Sequence, residues 1–135
     1  MPVNLVSVAA AAAAAYVVGF LYYSKALFAK KWVKLSGISE KMMKKDPKVG
    51  MGKMIVLGAL STLVMAYVLA LAMDVMKLTS LQAGLTAGFF AWLGFQATLT
   101  LGSVLYERKP FALYVLNNGH NLIALLVMGA VLALV

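Results

Sequence analysis

His120 is the only histidine in the chain, and it sits among three of the four asparagines, Asn117, Asn118 and Asn121, in a stretch otherwise made of Val, Leu, Ala and Ile. An imidazole titrates near neutrality and can shuttle protons, bond a solute or ligate a metal. A lone histidine with no cysteine and no intramembrane Asp or Glu nearby leaves too few ligands for a metal site, so neither metal nor cofactor is expected. Ser/His/Asp catalysis needs a carboxylate that the apolar segments lack, and there are no paired acids and no Gly-rich phosphate loop after a strand. The chain is therefore read as no enzyme. A lipid-acting membrane enzyme, with Tyr16, Tyr23 and His120 as acid/base groups, is the remote alternative.

The elements that carry these residues follow from composition. Of 135 residues, 64% are hydrophobic and 12% charged, with a mean hydropathy of +0.94, far from a soluble globular average. The bilayer is the first partner implied. Four apolar runs, about 3–27, 54–73, 80–105 and 111–133, are long enough to cross it, and short connections leave room for no second domain. The expected fold is all-α, an integral membrane four-helix bundle forming one domain over 1–135. The first run lacks a charged leading region and is too long for a signal peptide's apolar segment, so it reads as a retained span.

The formal charge of +8 is concentrated, because nine of the twelve Lys and Arg residues lie between Lys25 and Lys53. Such a loop is an orientation signal rather than a nucleic-acid surface, and no nucleic-acid partner is expected. With Glu107-Arg108-Lys109 on the same side, the basic loop at about 28–53 is placed in the cytoplasm, both termini outside and the chain in the cell membrane. Tyr22, Tyr23, Trp32, Tyr106 and Phe111 fall where an aromatic belt belongs. Within the loop, Ser39 and Glu40, with Ile38 and Met43 at staple spacing, predict a short surface helix ending before Pro47.

The chain contains, in order, Gly19-Phe-Leu-Tyr-Tyr-Ser24, Trp32 and Gly37, Met51-Gly-Lys53, Ala66-Tyr-Val-Leu-Ala70, Trp92-Leu-Gly94, Tyr106-Glu-Arg108 and Leu116-Asn-Asn-Gly119. Their order and spacing resemble a family of small prokaryotic four-helix integral membrane proteins catalogued only as a domain of unknown function. The resemblance covers almost the whole chain. It implies a four-span membrane protein and brings no catalytic residues with it.

Counting about nine residues inward from the basic side of each span, at 1.5 Å each, reaches roughly 13 Å, close to the bilayer midplane. Those positions are Gly19, Thr62, Gln96 and His120. Helical spacing puts Trp92, Gln96, Thr100 and Ser103 on one face of the third span, and Asn117, His120, Asn121 and Ala124 on one face of the fourth, where the two can meet. The candidate polar layer is thus Thr62, Gln96, Thr100, Asn117, His120 and Asn121. It serves either as hydrogen-bonding glue between helices or as a site for a solute or proton.

Small residues mark the packing faces: Gly84 and Gly88, continued by Ala91, Thr98 and Gly102 on the third span, and Gly58, Thr62, Ala66 and Ala70 on the second. A spare face of this kind would support a homo-oligomer or a membrane-protein partner, and self-association is expected. The favoured function is passage or sensing of a small solute or proton, channel- or transporter-like. The alternative is a non-catalytic accessory or scaffold subunit.

Overall fold

The first apolar run becomes a helix because Asn4, in extended conformation, accepts hydrogen bonds from the backbone N–H groups of Val6 and Ser7, satisfying donors that a helix start leaves open. The computed structural model describes residues 3–38 and 51–135, and among these no strand occurs. Its helices are α1 (Leu5–Tyr22), α2 (Ala29–Ser36), α3 (Met51–Val75), α4 (Leu81–Leu105) and α5 (Phe111–Leu134). Among the described residues, α1, α3, α4 and α5 are long and apolar enough to cross a bilayer.

Two boundaries differ from the hydropathy reading. The run 3–27 is not one helix: α1 stops at Tyr22, the Ser24 hydroxyl donates to the Leu21 carbonyl, and the Phe28 N–H reaches back to the Tyr22 carbonyl. Those bonds close a turn in place of the next helical step. The chain then starts α2, which half-buries Phe28, Trp32 and Leu35 and exposes Lys30, Lys31 and Lys34, an arrangement that the plain basic loop at 28–53 did not include. Gly37, at φ +76°, ends α2 in the left-handed conformation that glycine adopts at low cost. The surface helix expected from Ser39 to Pro47 lies outside the described residues.

α5 is the hub. It packs against α1 on one side and α4 on the other, while α3 packs on α1 and meets α4 and α5 only sparsely. The core joins two stripes of identical helical spacing, Val8, Ala11, Ala12 and Ala15 of α1 and Ala66, Leu69, Ala70 and Met73 of α3, with Leu125 and Met128 of α5. Small side chains there bring backbones close, which substitutes dispersion for the absent hydrophobic drive.

The α4–α5 contact is closer still. A Cβ on Gly84 would collide with the Gly129 carbonyl, one on Gly88 with the Leu125 carbonyl, and one on Gly129 with the Gly84 carbonyl. Both α4 glycines are buried. The predicted continuation of this face through Thr98 does not hold. Residues Trp92–Ala97 form a π-helical turn, whose i→i+5 spacing lets Ala97, five residues after Trp92, take the buried place. Thr98 is exposed, and its hydroxyl donates to the Gly94 carbonyl at 2.6 Å.

Candidate functional site

The polar residues of α5 diverge, because successive residues on a helix point about 100° apart. Asn118 turns to α4: its Nδ2 donates to Thr100 Oγ1 at 3.0 Å and to the Tyr114 carbonyl at 3.1 Å. Beside it, Trp92 Nε1 donates to the Asn118 carbonyl at 3.0 Å, and the Tyr114 hydroxyl to the Ala97 carbonyl at 2.7 Å. Asn118 is the asparagine the face assignment left out, and it is the one that joins the last two spans. Its position along the span was legible, since Thr100 lies five residues before the end of α4 and Asn118 seven after the start of α5, but the direction it faces was not.

Asn117 and His120 face α1 instead. The Tyr23 hydroxyl donates to Asn117 Oδ1 at 2.8 Å, and the Tyr22 hydroxyl to the Leu116 carbonyl at 2.6 Å. The imidazole lies beside both phenol rings, with centroids 5.5 Å from Tyr22 and 5.1 Å from Tyr23. Its Nδ1 is 3.2 Å from Asn121 Oδ1. Its Nε2 is directed at Gly19, where a Cβ would stand 3.1 Å away, so the absence of a side chain at Gly19 seats the ring. Trp32 of α2 reaches this cluster through Tyr23, at a centroid distance of 6.4 Å.

The expected meeting of Gln96 and Thr100 with Asn117, His120 and Asn121 therefore happens only in part. Thr100 bonds Asn118, with its own hydroxyl donating to the Gln96 carbonyl at 2.6 Å. The π turn displaces the Gln96 side chain from that contact toward a cavity of about 480 Å³. This cavity is bounded by α1, α3 and α5, with Gln96 entering from α4, and it gathers Gly19, Thr62, Gln96, His120 and Asn121. The four positions at one depth along four spans thus line one space. Of the remaining residues singled out, Gly58 borders the same space under Tyr16, whose hydroxyl donates to the Ile55 carbonyl at 2.6 Å. Thr62 spends its hydroxyl proton on the Gly58 carbonyl at 2.8 Å.

Among the described residues the Gln96 carboxamide and His120 Nε2 have no hydrogen-bond partner, and no buried side-chain nitrogen or oxygen is left unpaired. Both groups are therefore accessible rather than sealed inside the bundle. Among the described residues its lining contains no Asp, Glu, Lys or Arg. The described residues hold no group of three or more His, Cys, Asp or Glu able to bind a metal ion. The chemistry on offer is neutral: amide, imidazole and hydroxyl groups set in a wall of Ala, Leu, Met, Phe and Tyr.

A family model described as "Protein of unknown function (DUF1761)" matches residues 6–133, and the chain belongs to that family. No curated protein and no solved structure matches it.

Proposed function

We propose that this DUF1761 member holds or passes a small solute or proton at the cavity shared by its four spans, as a minimal channel- or transporter-like protein. The observation that carries the reading is that Gln96 and His120, from two different spans, line one cavity whose described residues carry no charge. Polar side chains in hydrocarbon normally pair with each other. These two are supported by neighbours, Gly19 beneath the ring and the π turn behind the amide, and left available. In the proposed topology the Lys-rich connection is cytoplasmic, both termini are outside, and the protein resides in the cell membrane, in keeping with its Lys distribution. Self-association belongs to the same proposal, since four spans enclose little volume for a pathway.

One observation favours a second reading. Asn118, Thr100, Trp92 and Tyr114 are mutually paired between α4 and α5, as expected of glue in an accessory or scaffold subunit. Reconstitution separates the two. Liposomes containing the protein are assayed for proton and small-solute flux across a pH series, with His120→Gln in parallel. Gln keeps a donor and an acceptor at similar reach but cannot titrate. The site reading expects flux whose pH dependence disappears in the variant. No flux and no binding at any pH leaves the accessory reading.

A further inference from the structure

A second cavity of about 630 Å³ lies between α3 and α4 and shares no lining residue with the first. One stripe of α3 serves both: Gly58, Thr62 and Met65 line the first, Leu69 and Ala72 the second. The steps of four, three, four and three keep these residues on one helix face. From Gly58 to Ala72 the stripe covers roughly 21 Å at 1.5 Å per residue, most of the ~30 Å hydrocarbon thickness. The two cavities differ in character. The first has Gln96 and His120; the second is walled on α4 by Ala83, Ala87, Phe90 and Phe95, and its Thr86 hydroxyl is already turned back to the Gln82 carbonyl at 2.8 Å.

A hydrophilic solute gains little from this shape. Most of its hydroxyls would meet Ala, Leu, Met and Phe, and each one buried without a partner costs a lost hydration bond. A charged head fits no better, because among the described residues the linings of both cavities lack any Asp, Glu, Lys or Arg. Ligand sites in general are mainly apolar with a few placed polar groups, and a lateral cleft at this depth in a bilayer is filled by apolar chains rather than water. Resting on the reading of the first cavity as a site, we infer that its ligand is an uncharged amphiphile taken from the bilayer. A single hydroxyl head bonds Gln96 and His120, and the apolar body lies along the α3–α4 cleft. With Nδ1–H donating to Asn121 Oδ1, the neutral imidazole presents Nε2 as an acceptor, which suits a hydroxyl head.

Photolabelling of the full chain in phosphatidylcholine nanodiscs tests this, with diazirine-bearing hexadecanol as the long probe and diazirine-bearing 1-butanol as the short one. Adducts are located by mass spectrometry. Hexadecanol should label residues of both cavities and be displaced by unlabelled hexadecanol, with hexadecanoate and hexadecyltrimethylammonium at least about ten-fold weaker because their charges find no partner. Ala72→Phe, and independently Ala83→Phe, fill the second cavity; each should cut hexadecanol labelling while butanol labelling at the first cavity persists. Butanol labelling without hexadecanol labelling would overturn the inference and leave the proposed function standing. Equal competition by the charged amphiphiles, or hexadecanol labelling unchanged in both filled variants, would overturn it too. Labelling by neither probe would remove the inference and the site reading together.

Discussion

The Nε2 atom of His120 rests where a side chain at residue 19 would be: a Cβ built on Gly19 stands 3.1 Å from it. The glycine thus holds the imidazole against α1 between the rings of Tyr22 and Tyr23. Gly19→Val should push the ring out at a cost of roughly 1–3 kcal/mol, the usual range for overpacking. Thermal unfolding in detergent measures it. An unchanged midpoint would mean that the ring moves aside freely and that Gly19 has no seating role.

Gly88 faces the Leu125 carbonyl directly, so backbone rather than a flexible side chain opposes any substituent. Gly88→Leu should separate α4 from α5 and lower stability by at least 1–3 kcal/mol. Spin labels on the two helices should report a wider separation. If distance and stability are both retained, the α4–α5 interface is not built on this glycine.

The asparagines and Gln96 predict opposite outcomes for similar substitutions. Asn117→Leu leaves the Tyr23 hydroxyl without its acceptor, at a cost of roughly 1–2 kcal/mol. Asn118→Leu removes donors to Thr100 and Tyr114, and about 0.6–1.7 kcal/mol is the expected loss for interhelical bonds in a membrane. Gln96→Leu strands nothing among the described residues and should leave stability within about 0.5 kcal/mol. A Gln96→Leu loss as large as that of Asn117→Leu would show that the amide is structural.

Ser36 at the end of α2 and Thr79 in the α3–α4 turn lie on opposite sides of the membrane in the proposed topology. Single cysteines at these positions should react with an impermeant maleimide from opposite faces of sealed vesicles. Reaction of both from the same face would break the topology, since one span, α3, separates them.

Four apolar spans and their order were legible in the sequence, because run length marks a span, and the four positions counted to one level, Gly19, Thr62, Gln96 and His120, line one cavity. What the sequence left open was rotation about each helix axis. A helix surrounded by lipid and by other apolar helices is apolar all round, so no contrast between faces marks the packed side. That is why Asn118 was missed, although it is one residue from Asn117 and bonds the opposite neighbour. Tertiary structure decided the rest through single-residue events. The π turn at Trp92–Ala97 offset the register of α4 and sent Gln96 into the cavity. The turn after Tyr22, tied to α5 by two phenol hydroxyls, ended α1 where Ser24 and Lys25 interrupt the apolar residues. Each depends on a partner more than ninety residues away or on a one-residue change in helical spacing, and local hydropathy gives the geometry of neither.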